Sequence, residues 1–217
     1  MTNFAIDIIS DNCYIGKEIL DKAIELYKKV YPGGKDDTFT ISWSAYYLDE
    51  TSPQQGVPLL QRMAERFGAD RVAALQERLR GFGAQEGIDF SFAGKLGNTR
   101  DSHRLIHLGK TKGNEVENRV VMELFGDYFE GMGDITSYET LIKVGVKAGI
   151  EESEAREWLE SGKGGDEVDA EVREARSRGI RGVPHYIIQG KYEVGGTQDP
   201  QQLMEVFAQV KEEQQRS

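Results

Sequence analysis

The spacing of apolar residues changes twice along this chain, and that change constrains the fold more than any bulk property does. Phe4, Ile6, Ile8 and Ile9 mark a strand, after which Ile19, Leu20, Ala23, Ile24, Tyr27 and Val30 recur at helical spacing. Pro32-Gly33-Gly34 stops that helix, and Phe39-Thr40-Ile41-Ser42-Trp43 alternates as a half-buried strand. Strands joined by a helical crossover are expected to run parallel, because such units close with one hand in nearly all cases.

From Val57 the period is helical. Leu59, Leu60, Met63 and Phe67, then Val72, Leu75 and Leu79, then Leu105, Ile106, Val116, Val120, Val121 and Leu124 all keep it. Asp134 to Gly149 and Glu151 to Leu159 extend the pattern, with Thr136-Ser137 and Gly149 as start and stop signals. The acid-rich stretch Asp166 to Arg178 reads as one more helix, its charges a solvated face. No strand is expected in this block before Tyr186. After Gly182, Val183-Pro184-His185-Tyr186-Ile187-Ile188 and Tyr192-Glu193-Val194 flank a Gln189-Gly190-Lys191 turn and read as a hairpin. Asp199 caps and Pro200 opens a terminal amphipathic helix carrying Leu203, Val206, Phe207 and Val210. The order predicts an α/β chain in which residues 1–56 and 166–217 form one core and residues 57–165 a helical insertion.

Charge narrows the function. With 27 basic and 37 acidic residues the net charge is −10 and no basic stripe interrupts it, which excludes nucleic acid and anionic membrane as expected partners. Met1-Thr2-Asn3-Phe4 carries no secretory pattern, and no apolar run approaches the roughly 20 residues that span a bilayer, so a cytoplasmic address is expected. A single cysteine fits a reducing compartment and rules out an internal disulfide.

That cysteine, Cys13, follows the first strand and opens the first helix in Ser10-Asp11-Asn12-Cys13-Tyr14-Ile15-Gly16-Lys17. Unpaired amides and the macrodipole at a helix N-terminus favour a thiolate, which makes Cys13 the candidate nucleophile. A packed cysteine acting as a small hydrophobe is the plain alternative.

The element order is that of a thioredoxin-like fold with a large all-helical insertion. The residues resemble the DsbA-type disulfide oxidoreductases, in particular the FrnE-like branch, which is related to kappa-class glutathione transferases and 2-hydroxychromene-2-carboxylate isomerases. The resemblance rests on Ile6-Asp7-Ile8-Ile9-Ser10-Asp11 leading to Cys13-Tyr14-Ile15-Gly16-Lys17, on Asn98-Thr99-Arg100-Asp101-Ser102-His103-Arg104-Leu105, and on Gly182-Val183-Pro184 with Gly190-Lys191-Tyr192 and Gly195-Gly196. The family places Cys-Pro-Trp-Cys directly before Tyr-Ile-Gly-Lys. Cys13 therefore matches the second cysteine, and the first has no counterpart. A second alignment sets Ser10 at the first cysteine's position, similar to the kappa-class relatives in which a serine polarises glutathione. Either way the paired thiols of dithiol exchange are absent.

The resemblance implies an enzyme of oxidoreductase descent working through one thiol, with Cys13, Ser10 and Tyr14 as catalytic candidates in a cleft between core and helical lid. It implies glutathione or a small electrophilic metabolite as substrate, with Asn12, Val183 and Pro184 as candidate binding residues and His103 and Arg104 as substrate-facing or helix-anchoring groups; the residues themselves add Trp43, an aromatic ring at the end of the second strand, and Thr197 and Gln198 in the turn before the last helix. Pro184 is expected cis, with Val183 offering backbone groups to the ligand. The Gly195 to Asp199 turn, at a helix N-terminus, suits a carboxylate. Two other functions stay open: a glutathione-assisted isomerase or transferase of an aromatic or polyketide-like metabolite, and a non-catalytic peptide- or ligand-binding module. No tightly bound cofactor is expected, and no metal, since His103 and His107 lack the glutamate and third ligand of a zinc helix. His185 is a candidate to tune Cys13. Oligomeric state stays open, a homodimer included.

Overall fold

The computed structural model describes residues 1–11, 13–196 and 199–216, and for residue 86 the backbone alone. In chain order the elements are β1 (Asn3–Ser10), α1 (Tyr14–Val30), β2 (Thr38–Ala45), β3 (Val57–Pro58), α2 (Leu59–Phe67), α3 (Ala69–Glu86), β4 (Lys95–Leu96), α4 (Arg100–Lys112), α5 (Asn114–Phe125), α6 (Tyr138–Lys147), α7 (Glu152–Glu160), α8 (Gly165–Ser177), β5 (His185–Ile188), β6 (Tyr192–Gly195) and α9 (Pro200–Arg216). They fall into two compact units, Met1–Tyr46 with Glu171–Ser217, and Tyr47–Ala170.

In the first unit four strands form one sheet in the order β2-β1-β5-β6. β1 and β2 pair in parallel with Phe4 opposite Phe39 and Ile8 opposite Trp43, as the crossover requires. β5 runs antiparallel to β1, and β6 antiparallel to β5. Alternation along β1 assigns the two faces of the sheet. Phe4 packs with Tyr27 of α1 at 5.5 Å, Phe39 at 4.6 Å and Phe207 of α9 at 5.4 Å between ring centroids. Ile9 faces the other way and joins Tyr46, Ala175 of α8, Ile180 and Ile187. α9 opens at Pro200, where Asp199 Oδ1 accepts the Gln201 amide at 2.9 Å, the cap read from the sequence.

The second unit holds its own core, built from Leu105 and Leu108 of α4, Val120 and Leu124 of α5, Leu141, Ile142 and Val144 of α6, and Ala155 and Leu159 of α7. It also contains the two-residue pair β3 and β4, where no strand was expected. Two residues are too few to carry an alternating pattern, so periodicity cannot register them.

The unit boundary falls at Tyr47 rather than at residue 57. Once β2 ends, the connecting segment is tied by hydrogen bonds within the second unit: Tyr47 Oη donates to Asp169 Oδ1 at 2.9 Å, the Asn98 amide to Pro53 O at 2.9 Å and the Gly56 amide to Thr136 Oγ1 at 2.8 Å. The acid-rich helix α8 is likewise more than a solvated face. It buries Val168, Val172 and Ala175, Asp169 takes a two-pronged contact from Arg100, and Glu171 Oε2 accepts the Ala45 amide at 2.9 Å where β2 ends. Among the described residues no helix is long and apolar enough to cross a membrane.

Candidate functional site

β1 delivers the chain to the start of α1, and the sequence between them sets a thiol there. Cys13 is the residue that caps α1: its carbonyl accepts the Lys17 amide at 3.1 Å, while no described side chain caps the helix and no acidic residue lies in its first turn. A cysteine has no side-chain oxygen with which to satisfy the first-turn amides, so the Cys13 side chain does not itself cap the helix.

Ser10, buried at the end of β1, works on Cys13 in two ways. Its Oγ accepts the Cys13 amide at 3.0 Å, and its hydroxyl hydrogen-bonds the sulfur, as does the Asp11 backbone. The surroundings of the sulfur act against the expected thiolate. Burial, the largest effect, and the negative charge of Asp11 push the Cys13 thiol up to about 11 from an ordinary 9.0, against hydrogen bonds that pull it down. Desolvation and the Asp11 charge together outweigh the two hydrogen bonds, which favours a neutral thiol on a residue that is only partly exposed.

The loop before β5 meets the same first turn of α1. The Val183–Pro184 peptide is cis, and a Cβ placed on Gly16 would lie 2.7 Å from Pro184 Cγ and 2.8 Å from Tyr186 Oη. Tyr186 Oη donates to the Gly16 carbonyl at 2.8 Å. Only a residue without a side chain fits at that crossing, which is the physical content of the glycine in Tyr14-Ile15-Gly16-Lys17. The fold thus brings Gly16, in the first turn of α1, against Pro184 and Tyr186, far apart in sequence.

Other candidates lie elsewhere. Tyr14 is half-buried in the first turn of α1. Trp43 is 3 % exposed, opposite Ile8 in the sheet, and belongs to the core rather than to a ligand surface. His185 turns to Glu193, with Nε2 and Oε2 3.1 Å apart, and the groups acting on the thiol are Ser10 and Asp11 instead. His103 and Arg104 belong to the second unit. His103 is buried with its ring 5.9 Å from that of Tyr47. Arg104, 1 % exposed, is an anchor and not a ligand-facing group: its guanidinium donates to the carbonyls of Lys163 at 2.8 Å, Trp158 at 2.6 Å and Leu159 at 3.1 Å and to Asp101 at 2.6 Å. It satisfies the orphan carbonyls at the end of α7. His107 stacks on Trp158 with centroids 6.3 Å apart. Asn12, Thr197 and Gln198 lie outside the described residues.

Two cations escape the sequence reading. Arg100 grips Asp169 through Nε and Nη2 at 3.0 and 2.9 Å, which raises the affinity of the guanidinium for its proton. Its place three residues before His103 in the Asn98 to Leu105 stretch was the available signal. Arg181 lines a cleft of about 370 Å³ beside Val183, signalled in sequence only by its position between Ile180 and Gly182.

The model for the DSBA-like thioredoxin domain matches residues 3–208. This chain belongs to that family. Among solved structures, a probable DsbA oxidoreductase from Streptomyces coelicolor is 25% identical, with a TM-score of 0.83 over 95% of this chain and 89% of that one. A 2-hydroxychromene-2-carboxylate isomerase shares the fold at 17% identity, with a TM-score of 0.61 over 98% of this chain and 97% of its own. So does the cytosolic disulfide reductase DsbM of Pseudomonas aeruginosa, solved with GSH, at 12% identity and a TM-score of 0.53 over 98% and 100% of the two chains. No curated protein matches the sequence. Within this DSBA-like family a lone cysteine leaves no partner in the same chain for an exchanging pair.

Proposed function

We propose that this DSBA-like protein, of the FrnE-like branch, is a cytoplasmic enzyme that acts through the single thiol of Cys13 on glutathione or a small electrophilic metabolite. One observation carries the reading: the sulfur sits at the N-terminus of α1, partly exposed, with the Ser10 hydroxyl and the Asp11 backbone hydrogen-bonded to it. Ser10 positions the sulfur and favours its anion, and the Val183–Pro184 loop lies against the same turn of the helix. Reaction with a disulfide such as oxidised glutathione is then one displacement. The Cys13 thiol loses its proton, the sulfur attacks, the glutathione disulfide breaks, a mixed disulfide forms and one glutathione thiolate leaves. A second small thiol is needed to release it, since the chain holds no other cysteine.

The test is mass spectrometry after incubation with oxidised glutathione. A single adduct on Cys13 that forms faster as pH rises supports the reading. Below about 11 the thiolate fraction grows tenfold per pH unit, so alkylation by iodoacetamide is expected to rise with that slope across pH 7 to 10. A native thiol inert over the whole range refutes it.

The neutral resting thiol favours a second reading, a glutathione-assisted isomerase or transferase in which Cys13 and Ser10 donate hydrogen bonds to a bound glutathione sulfur. Turnover retained in Cys13→Ser selects this reading, because a hydroxyl keeps the donor but removes the nucleophile.

A further inference from the structure

The first unit carries a cleft beside the Val183–Pro184 loop but away from the catalytic candidates. It lies between the segment that leaves α8 and the β5–β6 hairpin, encloses about 370 Å³, and has Arg178 and Arg181 on one wall and His185 and Glu193 on the other. Neither Ser10, Cys13 nor Tyr14 lines it. That volume suits a small molecule rather than a polypeptide chain.

The charges in the wall do not cancel. Glu193, the one carboxylate among its described lining residues, is engaged by His185 at 3.1 Å. Arg178 reaches its nearest acid, Glu174, at only 3.7 Å, and its side chain keeps 36% of its exposure. Arg181 is exposed and makes no hydrogen bond or ion pair with any described residue. A guanidinium offers a planar fork of donors matched to paired oxygens, and here one fork is wholly unspent.

The glycines keep the cleft open. Gly179 and Gly196 have φ of +80° and +59°, which explains the residue type at both. Gly182 lies outside that region, and a Cβ there would meet nothing within 4 Å, so neither backbone nor crowding demands a glycine. Its effect is to leave the peptide beside Arg181 uncovered, with an amide that bonds to no described residue.

We propose that this cleft binds a small oxyanion, a carboxylate or a phosphate group, held by the guanidinium groups of Arg181 and Arg178 against the uncovered peptide at Gly182. The cleft shares Val183 and Gly195 with the surface expected to hold glutathione but none of the catalytic candidates, so anion binding and thiol reactivity are read by separate measurements.

Isothermal titration calorimetry of the full chain at low salt, with inorganic phosphate and with succinate as separate probes, tests it. Saturable binding of either is expected. Phosphate alone identifies a phosphate site, succinate alone a carboxylate site, and both together a site for the shared chemistry. An Arg178→Gln/Arg181→Gln double variant, with both side chains at the surface and the unfolding midpoint checked as unchanged, is expected to bind at least fivefold more weakly. Absence of saturable binding by both probes, or a smaller loss in the double variant, overturns the proposal.

Discussion

The two ends of α1 bury ionisable groups with opposite outcomes. At its C-terminal end the Asp37 carboxylate receives the Lys211 ammonium at 2.5 Å, the Thr2 amide at 2.6 Å and the Tyr27 hydroxyl at 2.8 Å. Desolvation opposes the charge there, yet the hydrogen bonds from Lys211, Thr2 and Tyr27 and the Lys211 charge hold Asp37 below the usual carboxylate range. At the N-terminal end Cys13 meets the same desolvation with two hydrogen bonds and an anion, and its thiol rises to about 11. Burial decides the protonation state only where no counter-charge answers it. One end of the helix is thereby locked, and the other holds a group whose reactivity waits on pH or on a ligand.

The largest effect expected from breaking this contrast is at the locked end. Lys211→Met leaves Asp37 buried without its cation and is expected to cost about 3 kcal/mol or more, read by urea unfolding at pH 7. The sign with pH follows from the lowered Asp37 value: its contribution is complete above the unfolded carboxylate pKa of about 3.9 and is lost as pH falls through the lower folded value. Native alkylation of Cys13 is expected to keep its rate in this variant. A rate that moves with stability would mean that the two ends are one coupled network and not a contrast.

Gly16→Ala comes next. In an open helix that change favours folding by about 1 kcal/mol. Here the new methyl would stand 2.7 Å from Pro184 Cγ and 2.8 Å from Tyr186 Oη, so a net loss of about 1–3 kcal/mol is expected in the same unfolding measurement. A stabilised variant would show that the crossing of α1 and the Pro184 loop is loose, and with it the geometry around the thiol.

How much of this was legible depended on whether the deciding interaction was local. The strand, helix, strand opening, the hairpin and the Asp199-Pro200 start of α9 follow from period and capping, which act over a few residues. Thr38–Ala45 extends the expected second strand by only a few residues. The Asp37–Lys211 pair spans 174 positions and left no pattern to read. The resemblance left Arg104 open as a substrate-facing or a helix-anchoring group, and tertiary packing decided for the anchor by placing carbonyls from the end of α7 around it. The protonation of Cys13 has the same limit: the helix terminus is visible in sequence, but the burial that pushes the thiol up is a property of the folded chain. Trp43 shows the reverse limit, a ring whose strand spacing already pointed to the core and which its aromatic character alone nominated for a ligand.

The smallest expected change is the most discriminating. Ser10→Ala removes the acceptor of the Cys13 amide and the hydroxyl that bonds the sulfur, at a cost of about 1 kcal/mol for a hydrogen bond lost in a buried setting. Because the Ser10 hydrogen bond pulls the thiol downward, its loss raises the thiol further, so native alkylation at any pH below about 11 is expected to slow. Stopped-assay mass spectrometry at pH 8 and pH 9, beside the unfolding curve, separates the two effects. Slower alkylation with a small stability loss identifies Ser10 as the residue that positions and tunes the sulfur. A rate equal to wild type assigns Ser10 to the backbone alone, and an accelerated rate means that the variant exposes the thiol by loosening the turn, in which case burial, and not hydrogen bonding, governs this end of the helix.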